Sequence, residues 1–292
     1  MQGRIIRLLA GYYFVQLEDR EIRCRARGKM RLHNESPCVG DFVEVEVLDD
    51  GEGVLTKILP RKNLLERPTV ANITQVLIVC SALAPHPNFA LIDRILVATE
   101  LLGLSAVVVV NKCDLGSGVA VSSVYRPAGY PVVEVSLSAD VNIASLWASL
   151  RGHTSVLAGQ SGVGKSSVIK HLCPGREVGV GEVNLRKGYG RHTTRHVELI
   201  FVPELDAYIV DTPGFSKLEL PEGLPILTLA ECFLEMRGQR DHCKFGHSCR
   251  HLGEPDCRVK QEVGRGHISQ ERYQSYTILI NELIERERSQ YK

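Results

Sequence analysis

The sequence has no hydrophobic run long enough to cross a membrane. Its longest apolar stretches, VLIVCSALA at 76–84 and LSAVVVV at 104–110, are far shorter than the roughly 20 residues that a membrane-spanning helix needs. No cleavable secretion signal precedes them. We therefore expect a cytoplasmic protein that does not associate with membranes.

Net charge is also nearly absent. The 35 lysines and arginines almost balance the 34 aspartates and glutamates, which leaves +1 at pH 7. This excludes the uniformly basic coat of proteins that hold nucleic acid by charge alone. Basic residues do gather near each end, as Arg20, Arg23, Arg25, Arg27, Lys29 and Arg31, and as Arg237, Arg240, Lys244, Arg250, Arg258 and Lys260. Each group is either a solvated face or a local surface for RNA.

A regular cysteine framework is missing as well. The nine cysteines are an odd, unevenly spaced set in a chain without a secretion signal, which argues against disulfides. Cys243, Cys249 and Cys257 cluster, with Cys232 a little upstream. Such a cluster favours metal binding.

Short alternating segments from about Arg4 to Pro60 predict a small closed β-barrel. Five strands would make it an OB-fold, a common platform for RNA, and we assign it residues 1–62. A barrel of this size can also be purely structural. The following segment, RKNLLERPTVAN, is interpreted as a linker, because Pro68 interrupts it and no periodicity crosses it.

The pattern changes over residues 69–220. Continuous β-branched runs such as ITQVLIVCSA, SAVVVVNKCD and AYIVDTPG alternate with helix-like stretches such as NFALIDRILVATELLG. These runs predict strands buried on both faces, and therefore an α/β domain with a parallel sheet wrapped by helices. Ligands of such sheets bind beyond the carboxyl ends of the strands, where each motif below lies.

The remaining residues, 221–292, predict a helical domain with a cysteine-rich loop. A last helix from about Gln270 to Arg288 presents an apolar stripe at helical spacing. We expect this stripe, formed by Tyr273, Tyr276, Ile280, Leu283 and Ile284, to pack against the cysteine loop.

The segment TSVLAGQSGVGKSS carries a phosphate-binding loop of the GxxxxGK[ST] type, between a strand and a helix. In this pattern backbone N–H groups surround phosphate oxygens, the lysine reaches the β- and γ-phosphates, and the serine hydroxyl ligates magnesium. The lysine, Lys165, is also predicted to take part in catalysis. The predicted phosphate-binding residues are Gly159, Gly162, Val163, Gly164, Lys165, Ser166 and Ser167.

A second phosphate element follows in AYIVDTPGF. Asp211, at the end of a strand, can hold magnesium, and the Gly214 N–H can contact a γ-phosphate. Together with the loop that begins at Gly159, this element indicates a nucleoside triphosphatase.

The tetrapeptide NKCD at 111–114 predicts recognition of guanine. Asp114 can accept hydrogen bonds from the ring N–H and the exocyclic amine of guanine, a donor pair that adenine lacks. Asn111 would brace the loop and the base, and Lys112 would lie along the nucleotide. Ser136, in VSLSAD, is a candidate for a backbone contact to the guanine oxygen. The predicted ligands are GTP and GDP with Mg²⁺; an ATP-dependent enzyme is the alternative.

The order of these motifs is unusual, because the guanine motif precedes the phosphate loop and the magnesium aspartate comes last. This order indicates a circular permutation, which preserves sheet and site when the joined ends lie close together. The sequence resembles the circularly permuted bacterial GTPases that depend on the small ribosomal subunit and assist its late assembly. The likeness covers the whole chain: barrel, NKCD, GQSGVGKSS, GRHTT, DTPGF and a cysteine–histidine loop.

The resemblance implies GTP hydrolysis stimulated by the small ribosomal subunit. It also implies that a threonine of GRHTT closes over magnesium and the γ-phosphate; Thr193 and Thr194 are the candidates, with Thr194 slightly favoured. Phe215 stands where many GTPases carry a water-orienting glutamine, and a phenyl ring cannot make that hydrogen bond. We therefore expect slow intrinsic hydrolysis, with His192 as the candidate for positioning water; its alternative role is to cap a turn.

The loop DHCKFGHSCRHLGEPDC offers three cysteines and one histidine for a closed, structural zinc site. The resemblance supports Cys243, Cys249, His251 and Cys257 as its ligands, and His242 or His247 is the alternative histidine. The sequence thus predicts a monomeric, three-module GTPase that contacts rRNA of the small ribosomal subunit. The alternative is an RNA-binding assembly chaperone that uses GTP only as a slow conformational ligand.

Overall fold

The computed structural model describes residues 1–27, 36–49, 51–66, 69–174, 197–211, 220–221 and 223–290. The strands are β1 (Gln2–Leu9), β2 (Tyr12–Gln16), β3 (Glu21–Ala26), β4 (Phe42–Val47), β5 (Gly53–Ile58), β6 (Leu64–Glu66), β7 (Thr69–Ala71), β8 (Gln75–Ser81), β9 (Ser105–Asn111), β10 (Val132–Glu134), β11 (Thr154–Ala158), β12 (Glu198–Val202) and β13 (Ala207–Asp211). The α-helices are α1 (Phe89–Leu101), α2 (Val119–Tyr125), α3 (Ile143–Leu150), α4 (Lys165–Leu172), α5 (Arg258–Gly264) and α6 (Gln270–Gln290). Short 3₁₀ helices include Pro203–Leu205, Ile226–Cys232, Arg240–His242 and Gly246–Ser248.

The chain divides into two compact units. One contains Met1–Gln75, Leu150–Leu157 and Ser166–Phe215, and the other contains Val76–Ser149, Ala158–Lys165 and Ser216–Lys292. Among the described residues, none of the helices has both the length and the apolar character that crossing a membrane requires.

Strands β1 to β5 of the first unit close into a barrel. β1 pairs antiparallel with both β2 and β4, β2 pairs with β3, β3 pairs parallel with β5, and β5 returns to β4. Along β3 the exposed and buried residues alternate, so Ile22 and Cys24 face inward while Arg23 faces outward. Ile5, Val15 and other fully buried residues fill the interior. This strand order is that of the OB-fold, which confirms the predicted barrel.

The segment predicted as a linker forms a β-ribbon instead. β6 and β7 pair antiparallel, and the Asn63 side chain both accepts from the Ile73 N–H and donates to the Ile73 carbonyl. Val70 bridges to Val39 beside the barrel. Two strands of three residues each are too short to produce a periodic signal, which is why the sequence pattern did not reveal them.

In the same unit, the barrel continues into a further sheet. β1 pairs antiparallel with β12, β12 pairs antiparallel with β13, and β13 pairs parallel with β11. β12 was not predicted, and its antiparallel pairing departs from the purely parallel sheet expected. The cause is local: a 3₁₀ turn at Pro203–Leu205 followed by the left-handed Asp206 joins β12 directly to β13. A connection this short permits only an antiparallel pair.

The second unit combines strands with helical layers. β9 lies between β8 and β10, and all seven residues of β8 are buried. The side chain of Asn88 caps α1 by accepting from the Leu91 N–H. α6 packs against α1, and its buried Tyr276, Ile280 and Leu283 share one core with the cysteine cluster. The predicted helical C-terminal region and its apolar stripe are therefore confirmed.

A buried ion network fixes α6 against α1. Arg272, only 1% exposed, donates to Asp93 Oδ1 at 2.6 Å and to the Glu235 carboxylate at 2.7 and 2.9 Å. Its guanidinium carbon lies 4.4 Å from the centre of the Phe233 ring. Burial raises the pKa of Asp93, and Arg272 favours the ionised carboxylate against that shift. The network sets the register between the two helices.

Candidate functional site

The predicted phosphate-binding loop connects β11 to α4. Gly159, Gly162 and Gly164 have φ angles of +130°, +79° and +110°, which side-chain-bearing residues rarely adopt. A Cβ atom on Gly159 would lie 2.0 Å from the Val79 carbonyl oxygen, and one on Gly164 would lie 2.2 Å from Asn111 Nδ2. Two of these glycines are therefore required by close packing as well as by backbone conformation.

The Lys165 side chain hydrogen-bonds to the backbone of its own loop. Its Nζ donates to the carbonyl oxygens of Gly159 at 2.8 Å and Gln160 at 2.6 Å. Burial lowers the pKa of Lys165. Phosphate oxygens in the loop would be charged acceptors and would bind this ammonium more strongly than the two carbonyl oxygens do. Lys165 is therefore placed to exchange its carbonyl partners for phosphate oxygens.

The guanine motif is attached to this loop by side-chain hydrogen bonds. Asn111 Nδ2 donates to the Val163 carbonyl at 2.9 Å, and Asn111 Oδ1 accepts from the Leu137 N–H at 3.2 Å. Lys112 donates from Nζ to the Gly162 carbonyl at 2.8 Å and to the Ala84 carbonyl at 2.6 Å. Two residues of NKCD thus hold the glycine loop in place.

Asp114 is held by two serines. Ser136 Oγ donates to Asp114 Oδ1, and Ser138 Oγ donates to Oδ2 at 3.2 Å. The hydrogen bond from Ser136 is the main cause that lowers the pKa of Asp114, so the exposed carboxylate is a charged acceptor at neutral pH. The Ser136 N–H donates to the Val141 carbonyl. The Ser136 hydroxyl thus contacts Asp114, and a backbone contact of this segment to the guanine oxygen stays a prediction.

The predicted magnesium ligands lie in the first unit. Ser166 falls in the first turn of α4, next to the predicted nucleotide contact Ser167, and Asp211 ends β13. A hydroxyl and a carboxylate are the hard oxygen donors that Mg²⁺ prefers, so the chemistry of this set fits the ion. Four other predicted site residues, His192, Thr193, Thr194 and Gly214, lie outside the described residues.

The four predicted zinc ligands converge in the second unit. One ligand atom from each of Cys243, Cys249, His251 and Cys257 lies within 4.8 Å of the others, and all four residues are buried. His251 Nδ1 is 3.6 Å from Cys243 Sγ and 3.4 Å from Cys257 Sγ. Three sulfurs and one imidazole nitrogen form a closed donor set typical of structural zinc. The cluster found in the described part of the chain contains neither His242 nor His247.

Two tyrosines of α6 support the loop that carries these ligands. Tyr273 donates from its hydroxyl to the His251 carbonyl, and Tyr276 donates to the Arg250 carbonyl, each at 2.8 Å. Burial raises the pKa of Cys249 to about 12. A metal that bound this sulfur as a thiolate would displace its proton.

The basic clusters are mostly matched by acids. Arg23 and Arg27 pair with Glu52 and Glu46 on the barrel. In the C-terminal group, Arg237, Arg240, Lys244 and Arg258 pair with Glu100, Glu231, Asp256 and Glu262. Both faces are therefore of mixed charge, which agrees with the small net charge. Lys29 and Arg31 lie outside the described residues.

Sequence reasoning missed two contributors to the guanine motif. Ser138 caps the second oxygen of Asp114, and the Ala84 carbonyl receives Lys112. The alternating serines of VSLSAD were the available signal for Ser138, because the turn that follows Ser136 brings both hydroxyls to one side. A backbone carbonyl such as that of Ala84 leaves no signal in residue identity.

The close approach at Gly164 gives a prediction. Gly164→Ala should weaken GTP binding by about a hundredfold, because the new Cβ must push Asn111 Nδ2 aside and strain the loop. Gly162→Ala is the matched control: its φ is also positive, but its nearest neighbour would be Pro85 Cδ at 4.0 Å. We expect only about a tenfold loss there, from backbone strain. Equal losses in equilibrium binding of a fluorescent GTP analogue would show that the Asn111 contact is unimportant.

The amino-acid sequence is similar to one family of proteins along most of its length. The family model described as the RsgA N-terminal domain matches residues 2–55, and that described as RsgA GTPase matches residues 58–221. The chain is 41% identical over 296 residues to the small ribosomal subunit biogenesis GTPase RsgA of Caldanaerobacter subterraneus, covering 100% of this chain and 99% of that protein. Identity to the protein of the same name from Moorella thermoacetica is 40%, covering 99% of each.

Solved structures give the same relationship. The crystal structure of YjeQ from Thermotoga maritima matches with a TM-score of 0.83 at 33% identity, covering 97% of this chain and 98% of that one. The structure of YloQ, a circularly permuted GTPase, matches with a TM-score of 0.81 at 36% identity, covering 98% and 95%.

Proposed function

The chain belongs to the RsgA GTPase family, and from this premise we propose that it hydrolyses GTP on the small ribosomal subunit and assists late assembly of that particle. One observation carries the proposal: Asn111 and Lys112 of the guanine motif hydrogen-bond to Val163 and Gly162 of the phosphate loop. These hydrogen bonds support the proposal because they join the proposed phosphate loop to the proposed guanine loop.

Each nucleotide-contacting residue has a distinct role in this proposal. Asp114 accepts the two guanine donors while Ser136 and Ser138 hold its carboxylate, and Lys112 lies along the nucleotide. Lys165 transfers from loop carbonyls to the β- and γ-phosphates. The loop glycines, together with Val163 and Ser167, supply backbone N–H groups.

Hydrolysis also requires groups that hold Mg²⁺ and position water. Ser166 and Asp211 would hold Mg²⁺, which neutralises charge that develops on the phosphates. Thr193 or Thr194 would close over the same region, and the Gly214 N–H would contact the γ-phosphate. Because Phe215 cannot orient water, His192 is assigned that task, and turnover without the ribosomal partner is slow.

The outer modules are assigned to rRNA contacts. The module boundaries proposed are 1–62 for the barrel, 69–220 for the GTPase domain and 221–292 for the zinc-binding domain. On the barrel, Arg23 and Arg25 flank Tyr12, with guanidinium carbons 4.8 and 4.9 Å from its ring centre. OB-folds commonly bind nucleic acid across strands 2 and 3. The nucleotide state would set the affinity of this monomer for the assembling subunit.

Steady-state GTP hydrolysis at fixed Mg²⁺, with and without purified small ribosomal subunits, tests the proposal. We expect strong stimulation by the subunit, and loss of about a hundredfold or more in activity for Lys165→Ala. His192→Ala should lose most of the stimulation while still binding the subunit. Guanine-specific binding without any stimulation would overturn the activated-enzyme proposal and leave an RNA-binding chaperone gated by nucleotide.

A further inference from the structure

Five side chains form a row across one face of the sheet in the unit that contains the barrel. The register pairs are Arg23 with Phe14, Phe14 with Arg7, Arg7 with Glu198, and Glu198 with Asp211. Each of these ladders is antiparallel, and residues directly opposite each other in antiparallel strands point to the same face. The row therefore runs from β3 of the barrel to the proposed magnesium ligand at the end of β13.

A β-bulge places Arg7 in this row. Ile5 pairs with Val15, and the register then shifts before Arg7 pairs with Phe14. Strict alternation would put Arg7 on the same face as Ile5, which is fully buried in the barrel core. The extra residue, Ile6, turns Arg7 to the outer face beside Phe14. Bulges commonly re-aim a side chain in this way.

Arg7 is shared between the barrel and β12. Its Nη2 donates to Glu21 Oε1 at 2.6 Å, and its Nη1 lies 4.0 Å from Glu198 Oε1. The guanidinium carbon is 4.1 Å from the centre of the Phe14 ring. With 36% of the side chain exposed, an anion in solution can reach Arg7. The arginine thus partly neutralises Glu198 and stays open to a phosphate on the barrel face.

Glu198 and Asp211 place two carboxylates at directly opposed positions. Like charges in such positions repel each other. Arg7 relieves this repulsion from the barrel side, and Mg²⁺ held by Asp211 would relieve it from the other side. Both cations therefore act on the same pair of carboxylates. When Arg7 interacts more weakly with Glu198, the pair carries more uncompensated negative charge and attracts Mg²⁺ more strongly.

We propose that Arg7 is a positioning residue that couples the barrel face to the magnesium-binding edge through Glu198. The inference rests on the proposed function, because it takes Asp211 as a magnesium ligand. When the phosphate backbone of RNA engages Arg7, Glu198 loses part of its neutralising charge and the carboxylate pair attracts Mg²⁺ more strongly. RNA is the partner because Arg7 and Arg23 lie beside Phe14 and Tyr12, a combination of guanidinium and aromatic groups suited to single-stranded RNA.

The test measures release of a fluorescent GDP analogue as a function of Mg²⁺ concentration, so it does not depend on turnover. Arg7→Gln should lower the Mg²⁺ concentration for half-maximal retention by about two- to fivefold, the size of one partly exposed ion pair. Glu198→Gln should raise this Mg²⁺ concentration. The double variant Arg7→Gln/Glu198→Gln should have the same value as Glu198→Gln alone. Lys57→Gln is the matched control, because it removes an exposed positive charge from strand β5 of the same barrel, opposite Glu44 and outside the row; it should leave this Mg²⁺ concentration unchanged.

A second arm adds single-stranded oligouridine RNA at saturation, as judged by fluorescence anisotropy. RNA should lower the half-maximal Mg²⁺ concentration for the unmodified protein and for Lys57→Gln, but not for Arg7→Gln. Additive effects of Arg7→Gln and Glu198→Gln, or no RNA effect on the unmodified protein, would overturn the coupling while the proposed function stands. If the rate of GDP release from the unmodified protein does not depend on Mg²⁺ concentration, this result would instead contradict the proposed magnesium role of Asp211.

Discussion

Asp114→Asn should reverse the base preference of the nucleotide site. Guanine presents two donors to the carboxylate, and an asparagine at this position turns one acceptor into a donor that faces the exocyclic amine. We expect GTP affinity to fall by about a thousandfold, because the new amide N–H faces a guanine donor and leaves a hydrogen bond unmade. Xanthosine triphosphate, which carries a carbonyl in place of that amine, should bind the variant better than GTP does. Competition against a fluorescent nucleotide measures both.

The fold should survive this substitution. Ser136 can donate to the asparagine oxygen, and the Ser138 hydroxyl, 3.2 Å from the second position, can accept from the amide group. Asp140→Asn is the matched control, since it removes one negative charge from the loop that carries both serines. That variant should keep its preference for GTP. An unchanged ratio of GTP to ATP affinity in Asp114→Asn would show that the site does not recognise guanine through this carboxylate.

Local sequence patterns were sufficient where a function depends on consecutive residues. The glycine loop, NKCD and the aspartate at the end of β13 each combine a buried strand with the residues that immediately follow it. Their positions at strand ends could therefore be predicted before the sheet order was known. The barrel was predictable for the same reason, because alternation along β3 and β4 separates its inner and outer faces.

Contacts set by register could not be predicted in this way. The opposition of Glu198 and Asp211 depends on how β12 and β13 pair, and the position of Arg7 depends on one extra residue in β1. A shift of one residue in either strand would turn these side chains to the other face. The network around Arg272 is similar, because its acidic partners lie far away in the sequence and meet it only after α1 and α6 pack.

Loss of the metal should unfold the cysteine loop while the guanine site remains folded. Within residues 243–257 the loop reaches the core of α6 through its three cysteines and Leu252, while Phe245 is 46% exposed. Without metal, this small apolar contact is all that holds an otherwise polar loop. Structural zinc in small modules contributes about 10 kcal/mol or more to folding at neutral pH. After chelation at pH 7, we expect hydrogen exchange to accelerate by several orders of magnitude over residues 240–257.

The extent of this unfolding follows from what anchors each element. The hydrogen bonds of Tyr273 and Tyr276 to the loop should be lost, but Arg272 still ties α6 to Asp93 on α1. Protection in α6 near Arg272 and in β9 should therefore persist. Cys257→Ser should lose its zinc, whereas Cys232→Ser, a buried cysteine outside the ligand cluster, should keep a single zinc ion per chain. Equal exchange before and after chelation, or full zinc content in Cys257→Ser, would contradict a structural metal at this site.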